Sequence, residues 1–237
     1  MAFPRWIPAP LLAAGLLCLP GAATAQVVAG QTDTFEDGTT QGWVINLLGM
    51  GSPPAPPVNV PTGGPAGDGD NYLQLTAVGG AVAGGRLSVI NFNGQWAGNY
   101  GAAGVAAIEM DLLNTGTSDL FLRLLIADPG AGPPMNVAIS ATPFSLPAGS
   151  GWTHAVFPLF GPGSLIADLG SVAAALANAT ELRIYHSPGT TLPPPPVVGM
   201  LGVDNITATP VPEPATVLLM GSGLLALFLV RRRQRVG

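Results

Sequence analysis

The chain has 237 residues, with 13 acidic side chains against eight arginines and no lysine, for a formal charge of −5. Twelve of the carboxylates but only Arg86, Arg123 and Arg183 lie between Gln26 and Pro210, which excludes nucleic acid and anionic membrane surfaces as partners of that segment. An apolar content of 48% excludes intrinsic disorder, and a single cysteine, Cys18, excludes a disulfide framework.

Residues 1–25 read as a signal peptide. Arg5 supplies the positive n-region, Leu11 to Leu19 a short apolar run, and Ala23-Thr24-Ala25 a small-x-small cleavage site, leaving Gln26 as the first mature residue. Pro10 and Pro20 bound the run too closely for a retained anchor, and Leu17 before Cys18 is too large for a lipobox. Segment 26–210 is long enough for one domain with a sizeable core.

Taken in order, that domain reads as strands. Thr34 to Glu36 comes first, then the turn Asp37-Gly38-Thr39-Thr40 and a strand from Trp43 to Leu48. Residues 49–69 hold six prolines, which cannot donate to a ladder, so a long loop is expected. Tyr72 to Val78 alternates cleanly, with Leu73, Leu75 and Ala77 on one face and Tyr72, Gln74 and Thr76 on the other. Further strands are expected at Arg86 to Phe92 and around Ile108, Met110 and Leu112. The turn Asn114-Thr115-Gly116-Thr117-Ser118 reads as a hairpin whose symmetric register would set Glu109 opposite Arg123.

Met135 to Ala141, Trp152 to Leu159, Glu181 to His186 and Met200 to Thr207 complete the strands. Leu165, Leu169, Val172 and Leu176 fall at helical spacing, so Leu165 to Asn178 is expected as one short helix. Leu192 to Pro196 reads as a stiff polyproline connector. About ten strands and one helix imply an all-β fold, an antiparallel sandwich of jelly-roll type.

No catalytic constellation emerges. His154 and His186 stand alone in strand patterns, and no serine occupies a Gly-x-Ser-x-Gly elbow. Glu109 and Asp111 share one strand face, which reads as solvated, and zinc is excluded for want of cysteine and clustered histidine. Trp43 and Trp152 sit within apolar strands and are expected in the core. Trp96, Asn99 and Tyr100 lie in a Gly/Asn-rich loop that could form a sugar-stacking platform. A loop anchor is the competing reading of Trp96, favoured by the large burial energy of an aromatic ring.

The C-terminus is tripartite: Val211-Pro212-Glu213-Pro214, an uncharged apolar run from Ala215 to Val230, then Arg231, Arg232, Arg233 and Arg235. Sixteen helical residues span roughly 24 Å, short of the roughly 30 Å hydrocarbon core, and snorkelling arginines make up part of the difference. Arginines after the span stay cytoplasmic, which places everything before it outside. The physics allows either a retained anchor or a transient one. The three parts together resemble the PEP-CTERM sorting signal of Gram-negative bacteria. That resemblance implies Sec export, passage through the inner membrane, recognition by an exosortase that cuts near Pro-Glu-Pro, and release to the surface or extracellular matrix.

A second resemblance concerns the domain. Phe35-Glu36-Asp37-Gly38 with Gly42-Trp43, Asn71-Tyr72-Leu73 and Gly202-Val203-Asp204-Asn205-Ile206 resemble galactose-binding-like carbohydrate-binding modules. Phe92 to Trp96 and Leu176 to Ile184 are similar to the laminin B type, another sandwich. The resemblance implies a structural calcium ion held by Glu36 and Asp204, with Asp33 and Asp70 as helpers, against the plain reading of these as turn and strand-end carboxylates. The expected role is structural or adhesive, in contact with exopolysaccharide. A module with a defined glycan ligand is the alternative, and a glycan-active enzyme the third reading.

Overall fold

Alternation that buries one face of most segments produces two stacked sheets. The computed structural model describes residues 26–45, 56–82, 84–129 and 133–212. The expected signal peptide, the apolar span 215–230, the arginine cluster, and Glu213 and Pro214 of the sorting motif lie outside those residues. Among the described residues no helix is long and apolar enough to cross a membrane.

Among the described residues thirteen strands form in chain order: β1 (Thr32–Asp33), β2 (Trp43–Ile45), β3 (Val58–Val60), β4 (Tyr72–Val78), β5 (Ser88–Asn91), β6 (Val105–Asn114), β7 (Leu120–Asp128), β8 (Asn136–Ser140), β9 (Phe144–Leu146), β10 (Thr153–Pro158), β11 (Leu165–Leu169), β12 (Glu181–His186) and β13 (Val198–Pro210). A 3₁₀ turn covers Gly94–Trp96, and α1, the one α-helix among the described residues, covers Val172–Ala177. The first sheet (sheet A) runs β10-β6-β13-β4-β3, with β1 also on β13. The second (sheet B) runs β11-β8-β7-β12-β5-β2, with β9 on β7. Every pairing is antiparallel.

The core lies between the sheets. Leu73 and Leu75 of β4, Ile108, Met110 and Leu112 of β6, and Leu201 and Val203 of β13 face Leu122, Leu124 and Ile126 of β7 and Leu182 and Ile184 of β12. Each is at least 95% buried, and such a side chain stabilises the fold by about 1.5–3 kcal/mol. A smaller apolar cluster, Leu125, Ala127, Val137, Ile139 and Tyr185, is buried on the outer side of sheet B, with Leu192 of the proline-rich connector packed on it.

Four expectations are corrected. The strand expected at 34–36 lies two residues earlier, at β1. The loop expected at 49–69 contains strand β3, where Asn59 donates to the Phe35 carbonyl at 2.7 Å. Leu165–Leu169 is strand β11 rather than helix. Gly170, at φ +60°, separates it from α1, and a Cβ there would stand 2.2 Å from Asn136 Oδ1. Ser171 then caps α1 by accepting from the Ala174 N–H at 3.1 Å. The turn after β6 is a corner between sheets, because β6 belongs to sheet A and β7 to sheet B. Glu109 therefore stands opposite Val156 and Thr207, and Arg123 opposite Tyr185, so the expected Glu109–Arg123 pair does not form. Asn114 holds the corner by donating to the carbonyls of Ser118, Leu146 and Pro147 at 3.0–3.1 Å.

Candidate functional site

The structure joins Asp33 and Trp96 in one buried node. Asp33 is 7% exposed, and its Oδ2 accepts from the indole N–H of Trp43 and from that of Trp96, each at 2.8 Å. Gln95 Nε2 adds contacts at 3.1 and 3.3 Å. Burial raises the Asp33 pKa despite those hydrogen bonds. Trp96 and Tyr100 are both fully buried, with the Tyr100 hydroxyl donating to the Trp96 carbonyl at 2.8 Å. Asn99 is spent on its own turn, accepting from the Ala102 N–H at 2.8 Å. Neither ring offers a face to a sugar, so the sequence-derived platform of Trp96, Asn99 and Tyr100 is corrected to a loop anchored from inside.

The remaining carboxylates of the calcium expectation are also engaged separately. Glu36 Oε1 accepts from the Asn71 N–H at 2.8 Å, and Asp70 Oδ2 from the Ala66 N–H at 2.6 Å. Asp204 Oδ1 accepts from the Asn205 N–H at 2.7 Å, while its Oδ2 is buried without a partner. Among the described residues no three acidic or histidine side chains converge as a cation cage, which needs six to eight oxygens for calcium. Of the four carboxylates of that expectation, Asp33 is turned to its indoles, while Glu36 and Asp70 lie near enough for their charges to act on Asp204.

Asp204 instead belongs to a row of side chains across the outer face of sheet A. The register sets His154 opposite Asp111 and Asp111 opposite Asp204. Burial pushes the Asp204 carboxyl up to about 7; the Asn205 N–H opposes the shift, and the charges of Asp70, Asp111 and Glu36 add to it. Asn205, at φ +51°, marks a bulge in β13 and donates from Nδ2 to Asp111 Oδ2 at 2.9 Å. The His154 ring lies between two carboxylates, 3.0 Å from Asp111 and 3.4 Å from Glu109. The Asp111 hydrogen bond is the main cause of its raised pKa.

Trp152, just before β10, stands over this row. It is half-buried rather than in the core, and its indole N–H donates to the Gly63 carbonyl at 2.9 Å. Its ring meets Tyr72 edge to face, with centroids 5.3 Å apart. Gly202 makes this crossing possible, since a Cβ there would lie 3.1 Å from Trp152 Cη2 and 3.2 Å from Tyr72 Cδ2. Further along β10, Val156 is exposed and lines a cleft of about 330 Å³ with Phe144, Pro158, Pro162 and Ser164. Aromatic rings beside carboxylates and imidazole form an amphipathic surface, able to stack a C–H face and accept from hydroxyls. Sequence reasoning missed Trp152 because its apolar neighbours read as core. The signal that could have found it was Tyr72, assigned correctly to the polar face of its strand.

Residues 210–233 match the family model for the PEP-CTERM protein-sorting motif. No curated protein matches the chain. Among solved structures, the chain is similar to a family 11 carbohydrate-binding module from Clostridium thermocellum in complex with a β-1,3-1,4-mixed-linked tetrasaccharide. Identity is 16% and the TM-score 0.47, over 80% of this chain and all of that one. It is also similar to an exo-β-agarase, at 11% identity and a TM-score of 0.49, over 78% of this chain; it spans only 25% of the agarase. The chain carries the sorting motif of exported proteins that pass transiently through the membrane and end exposed at the cell surface.

Proposed function

We propose that this exported, PEP-CTERM-bearing chain is a structural or adhesive protein of the cell surface or extracellular matrix, and that its sandwich domain holds on to exopolysaccharide. Its role is binding rather than catalysis. The observation that carries the reading is the Trp152–Tyr72 pair on the open face of sheet A, beside Asp111, His154 and Glu109. Sec and an exosortase are its partners on the way out, and the inner membrane holds it only in transit.

The test is fractionation of producing cells with intact-mass analysis. The processed domain, lacking the apolar span and the arginines, should co-purify with extracellular polysaccharide and be released when that polymer is depolymerised. Full-length 26–237 held stably in the inner membrane of a strain with the processing enzyme would sink the sorting half of the reading. A processed domain indifferent to depolymerisation would sink the binding half. The alternative, a module with one defined ligand, is favoured by selective micromolar binding on a glycan array.

A further inference from the structure

The three arginines of the described domain all lie on or beside sheet B. Arg183 forms a buried pair with Glu181 at 2.6 Å. Arg123 donates to the carbonyls of Ser140, Ser187 and Pro188. Arg86, just before β5, donates to the Pro194 carbonyl at 2.6 Å. The strands of sheet A carry neither lysine nor arginine. Its outer face presents Asp111 and Glu109, whose side chains are 22% and 29% exposed. Behind them Asp204 is 1% exposed, with Oδ2 unpartnered. A carboxyl oxygen buried without a donor is costly, and a nearby cation or donor relieves that cost.

We propose that this face, from the Trp152–Tyr72 pair towards the Val156 cleft, binds a polymer of amino sugars bearing free ammonium groups. The inference rests on the polysaccharide-binding reading above and names the class of glycan. A sugar ring stacks on Trp152, while ammonium groups along the chain sit beside His154 against the exposed edges of Asp111 and Glu109. The strands of the face carry one basic side chain, His154, and its ring is already held by Asp111 and Glu109; the face has no arginine or lysine to receive a uronate or sulfate, and its surplus of carboxylates repels both. N-acetylation removes the charge and leaves only stacking and hydroxyl contacts.

The probes are a β-1,4-linked glucosamine hexamer, its fully N-acetylated counterpart, a neutral β-1,4-glucan hexamer and an oligogalacturonate. Each is titrated calorimetrically against the processed protein at a pH where the amine keeps its proton. The glucosamine hexamer should bind at least about tenfold more tightly than the acetylated and neutral hexamers, and the uronate should not bind. Asp111→Asn and Glu109→Gln should each weaken it by about threefold to tenfold at an unchanged melting temperature. Asp168→Asn, which removes the same charge from β11 of sheet B, should leave the affinity unchanged and so separates a site from general attraction to an acidic protein. Equal affinity for charged and uncharged hexamers, a preference for the uronate, or an equal effect of Asp168→Asn overturns the inference while the polysaccharide reading stands. Failure of all four probes and of the host's own polymer to bind removes both.

Discussion

Trp152 reaches across β13 to meet Tyr72 at 5.3 Å, with the two rings 82° apart. Both rings stand on the outside of the sandwich, while Trp43 and Trp96 meet at 6.3 Å within it. The tryptophans thus divide between a surface pair with Tyr72 and a core pair, and the two should respond differently to substitution.

Trp96→Ala should cost about 3–5 kcal/mol, as for a fully buried ring that leaves a cavity. Trp152→Ala should cost under about 2 kcal/mol, because the site is half open and can rehydrate. Urea unfolding of both variants checks this. Equal losses would mean that Trp152 is a core residue after all.

Asp33→Ala should destabilise by about 2–4 kcal/mol, since two buried indole donors lose their only acceptor. Asp33→Asn should be milder, because its amide oxygen can still accept. Thermal melts of the two variants rank them, and an Asn variant as damaged as the Ala variant would contradict the shared-acceptor geometry.

Elements with a clear pattern in their own sequence were legible in the chain; those decided by distant contacts were not. Tyr72–Val78 was found to the residue because one buried face imposes alternation, and Glu181–His186 was found to the residue from its alternating Leu182 and Ile184 although both of its faces are buried. Leu165–Leu169 carries helical spacing by coincidence, and only the close approach of Asn136 to Gly170 shows that the chain must break there. The corner after Asn114 resembles a hairpin in sequence because both strands are apolar on alternate positions. Which sheet each joins depends on β10, β12 and β13, all far along the chain. Asp33 appeared as a spare carboxylate because its indole partners stand 10 and 63 residues away. The sorting signal, linear by nature, was fully readable.

Asp204 and His186 should give opposite pH dependences. The Asp204 carboxyl titrates near 7 in the folded protein but near the ordinary value of about 4 when unfolded. The folded state therefore keeps a proton that the unfolded state has lost. This contribution to stability is full below about pH 4, falls as pH rises to about 7, and is then level. Asp204→Asn should flatten that slope and be more stable than the parent at pH 8. His186 is buried as a neutral acceptor for the Phe121 N–H at 3.0 Å, and its pKa is lowered by burial. Its contribution is lost as pH falls below about 6.5, where the unfolded imidazole takes a proton that the folded one refuses. Urea titrations at several pH values on Asp204→Asn and the parent separate the two, and an unchanged slope in the variant would refute the Asp204 assignment.

Because Asp33 is committed to indoles and no three acidic side chains form a cation cage among the described residues, calcium and chelator should leave the melting temperature unchanged. A site filled at a hundredfold excess over Kd would add about 2.7 kcal/mol, or roughly 5–11 °C for a domain of this size. A rise of that order, abolished by Asp204→Asn, would restore the metal reading.

The most direct measurement follows the indole N–H resonances of the processed protein during titration with its extracellular polysaccharide or the glucosamine hexamer. Trp43, Trp96 and Trp152 are the three tryptophans between Gln26 and Pro210, so the spectrum is simple to assign by single substitutions. A glycan face on sheet A requires the Trp152 resonance to move saturably while Trp43 and Trp96 stay in place. Binding that leaves Trp152 unmoved, or that shifts Trp43 and Trp96 instead, would contradict it.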